Sequence, residues 1–217
     1  MKYLDFLQTV PLFSGISADE LQALLSETNA QFRSYAVGET ILFTGATTER
    51  FGILTSGKIQ IVKEDFDGNQ TLVAQLTPGH IFAEAFACTQ KPLTVAVQAE
   101  TPAEILWMGY TALCLPSGGQ STVRQQVVRR LTESFAAKNL FLQERIGHLA
   151  KRSLREKALS YLSEQAVKTG SRSFTIPFDR RQMADYLAAD RSALSAVLGK
   201  LRKEGVLRFH KNHFTFL

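Results

Sequence analysis

The chain has 217 residues, 45% of them hydrophobic and 21% charged, and a formal net charge of +5. These values are typical of a soluble globular protein of one or two domains. No apolar run approaches the roughly 20 residues that cross a bilayer, and the start MKYLDFLQTVPLFSG turns acidic too early for a signal peptide. Cys88 and Cys114 are too few for a disulfide framework, so we expect a cytoplasmic protein that does not engage membranes.

The charge is distributed unevenly along the chain. Residues 150–217 contain 14 lysines and arginines against 6 aspartates and glutamates, a net of +8, whereas residues 1–149 carry a net of −3. A basic module joined to a slightly acidic one is typical of a protein that binds a polyanion through one domain. A solvated basic surface would give the same balance, so charge alone leaves both interpretations open.

The first half of the chain predicts a short helix followed by a β domain. Ser17 precedes apolar residues at Leu21, Leu24 and Leu25, a pattern typical of a capped helix. From Gln31 to about Met108, strand-like runs such as TILFTG and RFGILTSGKIQIVKED alternate with glycines, and Asp67-Gly68 is a hairpin signal. The pattern predicts an antiparallel barrel or sandwich, placed at residues 1–120.

A long helix is predicted at residues 121–149, where no glycine precedes Gly147 and no proline occurs. A helix of this length runs roughly 40 Å, and an apolar stripe that long commonly pairs with its own copy. We therefore expect a homodimer, the alternative being a helix that lies on its own β domain. The predicted interface consists of Val128, Leu131, Phe135, Leu142, Ile146 and Leu149. The segment GHLAK, with Gly147 near its start, is the expected hinge.

The pattern of residues 150–217 predicts, in this order, a helix, a strand, a second helix, a short turn, a third helix and a hairpin. Ser153 and Glu156 form a capping-box pattern, and Asp179 with Gln182 forms a second. Asp190 starts a further helix whose buried stripe consists of Leu194, Val197, Leu198 and Leu201. The segments VLRF and HFTFL flank the turn HKNH. This order is that of a winged helix-turn-helix, so the fold class is α+β: an antiparallel β-roll, a long dimerisation helix and a winged helix-turn-helix.

The helix that begins after Asp190 leaves one small, partly basic face outside the core. The second helix of such a unit enters the DNA major groove, where an arginine such as Arg191 can donate two hydrogen bonds to guanine. Ala196 and Gly199 are small residues, which allow the helix backbone to approach the bases of the groove closely. The predicted DNA-binding residues are Arg180, Arg181, Gln182, Arg191, Ser192, Ser195, Lys200, His210 and Lys211. The competing interpretation is a winged helix that binds a partner protein.

Over nearly its whole length the chain resembles the CRP/FNR family of bacterial transcription regulators. DRSALSAVLGKLRKEGVL is similar to the family's recognition helix, and GETILFTGATTERFGILTSGKIQIV is similar to its cyclic-nucleotide-binding-type β-roll, with Gly45 and Gly57 at matching turns. The resemblance implies a homodimer that binds a two-fold-symmetric operator in double-stranded DNA. It also implies a small-molecule effector in the β domain that repositions the DNA-reading helices, and it makes RNA polymerase a candidate partner.

The chain departs from this family where cyclic AMP would bind. Cyclic-AMP-binding members hold the ribose and phosphate with a Gly-Glu-Leu segment and an Arg-Ser-Ala segment, which correspond here to AEA and LTV. Leu93 replaces the arginine, so a cyclic phosphate would enter an apolar site that has no cation to pair with its negative charge. We expect weak or absent cyclic-nucleotide binding and an unidentified effector. The candidate effector pocket consists of Phe82, Ala83, Glu84, Ala85, Leu93, Thr94, Val95 and Lys138, the last being the candidate replacement cation.

Other cofactors find little support in the residues present. An iron–sulfur cluster needs four cysteines, and His80 follows Pro78-Gly79 as an exposed turn histidine would rather than a haem ligand. His210 and His213 lack the further ligands of a metal site. A redox switch between Cys88 and Cys114 stays open as an alternative. The chain has no glycine-rich phosphate loop and no nucleophile elbow, so we do not expect an enzyme.

Two further departures concern the predicted DNA-binding unit. The family commonly has glycine at the position of Ala188, where a left-handed backbone costs alanine about 1 kcal/mol or more. Many members have arginine or another long polar residue where Ala196 stands. Direct base contacts should therefore be fewer, with more reliance on Arg191, the serines and DNA shape.

Overall fold

The computed structural model describes residues 2–66, 68–114 and 122–217. The chain forms two compact units, Met1–Glu133 and Ser134–Leu217. No helix within the described ranges combines the length and the apolar character that a bilayer span requires. The predicted domain boundary at residue 120 and the predicted helix start at Ser121 lie outside the described residues.

Helical segments come first in the chain. They are α1 (Lys2–Thr9), a 3₁₀ turn (Pro11–Phe13) and α2 (Ala18–Glu27). Ser17 caps α2 as predicted: its side chain accepts from the Glu20 N–H, and the Glu20 carboxylate accepts from the Ser17 N–H at 3.0 Å. Hydrogen bonds from Ser17 hold the pKa of Glu20 below its usual value. Leu21 and Leu24 are buried and define the face of α2 that packs against the core.

Eight strands follow, with two short helices between or after them. The strands are β1 (Gln31–Tyr35), β2 (Thr40–Leu42), β3 (Arg50–Ser56), β4 (Ile59–Glu64), β5 (Gln70–Leu76), β6 (Ile81–Phe82), β7 (Ala96–Ala99) and β8 (Ala103–Gly109). Helix α3 (Glu84–Thr89) follows β6, and α4 (Tyr110–Cys114) follows β8. All pairings are antiparallel, in sheets ordered β1-β8-β3-β6 and β2-β7-β4-β5.

Apolar residues from both sheets share one core. Leu54 and Ile105 from the first sheet are fully buried with Ile59 and Val97 from the second. Leu54 and Ile105 are paired directly opposite each other, so their side chains lie on the same face of the first sheet. The predicted antiparallel β domain is confirmed.

Glycines turn the chain where the side chain of another residue would not fit or would be strained. At Gly57, with φ of 82°, a Cβ atom would lie 2.1 Å from the Pro102 carbonyl oxygen. Gly68, also at 82°, lies in the β4–β5 connection, although its predicted turn partner Asp67 is outside the described residues.

The long helix predicted from the sequence is present as α5 (Thr122–Leu149). Near its start, Arg124 donates from Nη1 to the Ala112 carbonyl oxygen at 3.0 Å and from Nη2 to Glu27 Oε2 at 2.7 Å. The predicted hinge segment GHLAK begins inside α5, which contains Gly147, and only its last two residues lie in the break between the helices. The helix continues past this glycine because His148 is buried against α6 (Leu154–Thr169), with Nδ1 2.9 Å from Ser160 Oγ. The break between the helices is residues 150–153.

The remaining elements form a winged helix-turn-helix. Ser153 and Glu156 cap α6 as predicted, and its C-cap, Gly170, has φ of 63°. Next come β9 (Ser173–Thr175), α7 (Arg180–Tyr186), α8 (Arg191–Lys203), β10 (Leu207–His210) and β11 (His213–Phe216). The three strands pair antiparallel in the order β10-β11-β9. The predicted α+β class, with a β-roll, a long helix and a winged helix-turn-helix, is confirmed.

Candidate functional site

The start of α8 is fixed by its N-cap and by its buried stripe. Oδ1 of Asp190 accepts hydrogen bonds from the N–H groups of Ser192 at 2.8 Å and Ala193 at 3.0 Å. These bonds and one from the Ser192 hydroxyl hold the pKa of Asp190 below its usual value. Leu194, Leu198 and Leu201 are fully buried, so the rotation of α8 about its axis is set by the core.

The opposite face of α8 points into solvent. Its exposed residues are Arg191, Ser192, Ala193, Ser195, Ala196 and Lys200. The Ser192 hydroxyl donates to Asp190 Oδ1, and Ser195 Oγ donates to the Arg191 carbonyl oxygen at 2.8 Å. Because both hydroxyl protons are used within the helix, these serine oxygens face solvent as acceptors, while the Arg191 side chain presents donors.

At the start of α7, the first helix of the motif, the three predicted residues Arg180, Arg181 and Gln182 have different surroundings. The Gln182 side-chain oxygen accepts from the Asp179 N–H at 2.9 Å and completes the predicted capping box. Arg181 is exposed. Arg180 instead donates from Nη2 to the Lys211 carbonyl oxygen at 3.1 Å, and its guanidinium carbon lies 5.1 Å from the Phe209 ring centroid. Burial lowers the pKa of Arg180.

The Arg180 side chain is directed toward the β10–β11 hairpin, which is the wing of the motif. Its guanidinium packs against the wing, over the rings of Phe209 and Phe214. A side chain held by a carbonyl group and two aromatic rings is not extended toward a phosphate. Arg180 therefore joins α7 to the wing, and of these two predicted DNA-binding arginines Arg181 is the exposed one.

The predicted wing residues lie at the tip of the β10–β11 hairpin. His210 and Lys211 are exposed, and Lys211 takes a left-handed backbone with φ of 53°. His213 contacts Ser173 Oγ at 3.0 Å and Thr175 Oγ1 at 2.9 Å, so its ring is used within the sheet. No group of three or more potential metal ligands forms in the described part of the chain.

The predicted dimer residues on α5 divide into three sets by their exposure. Leu131 is 2% exposed and already buried within its own protomer, so it is not available to a partner as expected. Val128, Phe135 and Leu149 are half-buried. Leu142 and Ile146, one helical turn apart, are 53% and 64% exposed, and Leu140 is also exposed.

The predicted effector residues surround the start of α3. Ala83 has φ of 60°, a left-handed backbone that glycine adopts without strain. The Phe82 ring lies over Gly52, where a Cβ atom would be 2.3 Å from the ring, and it meets Trp107 edge-on at 5.5 Å. Glu84 and Leu93 are buried, Val95 is half-buried, and Ala85 and Thr94 are exposed. Lys138 is an exposed residue of α5 in the second compact unit.

Two residues near the end of α5 were missed in the sequence. Arg145 donates hydrogen bonds to the carbonyl oxygens of Tyr186 and Asp185. His148 is 3% exposed, with Nε2 3.1 Å from Glu164 Oε2 and its ring edge-on to Tyr161. Burial raises the pKa of Tyr161 above its usual value. The i, i+3 spacing of Arg145 and His148 places them on one face, but polar residues gave no hydrophobic periodicity to detect.

Comparisons with known proteins cover both units of the chain. A family model of the cyclic nucleotide-binding domain matches residues 32–113, and one of the Crp-like helix-turn-helix domain matches residues 156–217. The cyclic AMP receptor protein of Thermus thermophilus is 26% identical over 203 residues, 91% of this chain and 88% of that protein. The transcriptional activator protein FnrL of Cereibacter sphaeroides is 25% identical over 185 residues, 81% of this chain and 72% of that protein.

A solved structure shares the fold. The catabolite activator protein of Thermus thermophilus aligns with a TM-score of 0.51 and 21% identity, over 95% of this chain and 93% of that chain. Both domain matches occur in this one chain, and each of the two relatives aligns with more than four fifths of it. The chain therefore belongs to the CRP/FNR family of transcription regulators.

Proposed function

We propose that this regulator binds double-stranded DNA by inserting α8 into the major groove. The observation that carries the proposal is the exposed face of Arg191, Ser192, Ser195 and Lys200 on a helix whose other face is locked into the core. The net charge of +8 over residues 150–217 favours a polyanion. Ser192 and Ser195 present acceptors, which suit the amino groups of cytosine and adenine, and Arg191 suits guanine.

In-vitro selection of bound duplexes from a random pool tests this proposal. We expect two half-sites related by two-fold symmetry, about 34–36 Å apart. Arg191→Ala should relax selection at one base step, while Arg172→Ala, which changes an exposed arginine outside α8, should leave the selected sequence unchanged. Equal weakening on all duplexes would make Arg191 a phosphate contact. Duplex binding insensitive to salt would instead support a winged helix that binds a partner protein.

The proposed regulator is a homodimer joined through α5. Leu142 and Ile146 form one exposed apolar face on this helix, and burying each such side chain contributes about 1.5–3 kcal/mol. Ultracentrifugation of the full chain should give the mass of two chains. The double variant Leu142→Asp/Ile146→Asp should give one chain, while Val167→Asp, an exposed apolar residue on α6, should leave the dimer intact. A dimer that persists in the double variant contradicts this interface.

We propose that the effector is not cyclic AMP. Leu93, at the position of the family's arginine, is 2% exposed and apolar, and Phe82 fills the space above Gly52. An anionic phosphate held there would lose a charge-assisted hydrogen bond of about 1.5–3 kcal/mol. Calorimetric titration with cyclic AMP and cyclic GMP should show no binding at micromolar concentrations. The variant Leu93→Arg supplies the missing cation and tests whether its loss is the cause.

A second candidate mode of control is oxidation of Cys88 and Cys114. Both thiols are free and exposed, and the pKa of the Tyr110 phenol is held above its usual value by its interactions with Cys88 and Cys114 and by burial. Hydrogen peroxide would take two electrons and two protons from the two thiols, forming one S–S bond and two water molecules. Mass spectrometry after peroxide treatment should show the Cys88–Cys114 peptide pair. Mixed oxidation products without this pair contradict a switch.

A further inference from the structure

A cavity of about 170 Å³ in the β-roll is lined by residues from both sheets. Its lining residues are Arg33, Tyr35, Ile41, Leu42, Thr48, Arg50 and Trp107. None of them belongs to the effector pocket predicted from the family resemblance. The cavity is thus lined by different residues from that pocket and adjoins it where Trp107 meets Phe82 edge-on.

Two cations line this small space without a neutralising partner. Within the described residues, neither the Arg33 nor the Arg50 guanidinium has a hydrogen-bond or ion-pair partner. Residues 1–149 have a net charge of −3, so acidic side chains are plentiful in this part of the chain, yet none of those that the structure describes pairs with these two arginines. Two like charges at a concave wall focus a positive potential, and the planar guanidinium group matches a carboxylate with two parallel hydrogen bonds.

The rest of the lining supplies an apolar wall and one available hydroxyl group. Ile41 and Trp107 are 8% and 6% exposed. Trp107 Nε1 donates to the Tyr35 hydroxyl oxygen at 3.0 Å, which leaves the Tyr35 O–H free to donate into the cavity. Thr48 Oγ1 donates to the Arg50 carbonyl oxygen at 2.7 Å, so its proton is used within the turn. The site therefore combines anion donors at one side with an aromatic and aliphatic surface at the other.

The volume suits a single small ring or its equivalent. A cavity of about 150 Å³ holds benzene, whereas sites for larger ligands span about 300–1,000 Å³. We propose that this cavity binds a small carboxylate with a compact apolar body, about the size of benzoate. The proposal goes beyond DNA binding, because it concerns a ligand of the β-roll alone and is tested without DNA.

The chain provides its own reporter for the experiment. Trp107 is the single tryptophan and lines the cavity, so its fluorescence should change saturably as the full chain is titrated with benzoate at constant ionic strength. Benzamide, which has the same shape without the charge, should bind at least about tenfold more weakly. Arg33→Gln and Arg50→Gln should each weaken benzoate binding at least about tenfold. Arg129→Gln is the matched control, because Arg129 lies exposed on α5 in the same unit and pairs with Glu133.

Three results overturn the proposal. The first is the absence of saturable benzoate binding by both fluorescence and calorimetry. The second is equal binding of benzamide, or equal affinity in Arg50→Gln and Arg129→Gln, either of which removes the role of the charge. The third is inorganic phosphate binding as tightly as benzoate, which removes the role of the apolar wall. Circular dichroism confirms the fold of each variant, and Tyr35→Phe, expected to weaken benzoate alone, provides an independent variant.

Discussion

Arg145, near the end of α5, donates a hydrogen bond from Nε to the carbonyl oxygen of Tyr186 at 3.0 Å. Its Nη2 donates to the Asp185 carbonyl oxygen at 3.2 Å, and the guanidinium lies 5.5 Å from the Tyr186 ring centroid. These carbonyl groups are at the end of α7, where a helix lacks internal partners and a positive charge is favourable. The last turns of the long helix are thereby joined to the first helix of the helix-turn-helix.

The first prediction concerns this link. Arg145→Met should lower the free energy of unfolding of the C-terminal unit by about 1–2 kcal/mol, because two charge-assisted hydrogen bonds are lost. Trp107 lies in the other unit, so hydrogen exchange of the α7 amide groups is the appropriate measurement. Arg172→Met, at an exposed residue of the same unit, should have little effect. Equal loss in both variants would mean that the Arg145 contacts do not stabilise α7.

The second prediction concerns the turn between α7 and α8. Ala188 has φ of 49°, as the sequence comparison with the family's glycine led us to expect. Ala188→Gly should raise the free energy of unfolding by about 0.5–1 kcal/mol, because relief of left-handed strain exceeds the entropy that glycine adds to the unfolded chain. Ala189→Gly, at a residue outside the left-handed region, should lower it. Urea unfolding followed by far-UV circular dichroism distinguishes the two.

Features encoded by neighbouring residues were predictable from the sequence. The caps at Ser17, Ser153, Asp179 and Asp190 depend on residues two or three positions apart, and all four form. The buried stripe of α8 follows the helical period, so its exposed face could be deduced as well. Capping hydrogen bonds and hydrophobic periodicity are properties of short segments. They were enough to predict most of the fold and the exposed face of α8.

Features that depend on contacts distant in sequence were not predictable. Arg180 was expected to be exposed, but its partners Phe209 and Lys211 lie about 30 residues away, in the wing. Leu131 fits the apolar stripe of α5, yet only the fold shows that its own protomer buries it. The arginine-lined cavity brings β1 and β3 together through a shared pairing with β8. No local pattern connects Arg33 with Arg50.

The third prediction uses two adjacent arginines with different surroundings. Arg181→Gln should reduce the slope of log K against log salt concentration by about 1, because an exposed arginine at the start of α7 is placed to neutralise one phosphate. Arg180→Gln should leave that slope unchanged and lower thermal stability, since Arg180 packs on the wing. Binding to a fixed duplex at several salt concentrations, with a melting curve for each variant, gives both results. A reduced slope in Arg180→Gln would return Arg180 to the DNA surface.

The last prediction follows from the pKa of Asp190, which hydrogen bonds from Ser192 and Ala193 hold below its usual value. A carboxyl group with a lower pKa in the folded state adds stability above its unfolded pKa of about 3.9 and loses it as pH falls through the folded value. Asp190→Asn keeps a side-chain oxygen at the cap but does not titrate there. The wild-type chain should therefore lose stability more steeply than Asp190→Asn between about pH 5 and about pH 2, as measured by urea unfolding. Asp185→Asn, at an exposed carboxylate that caps no helix, should follow the wild-type curve. Parallel curves for wild type and Asp190→Asn would show that the Asp190 cap does not control the start of α8.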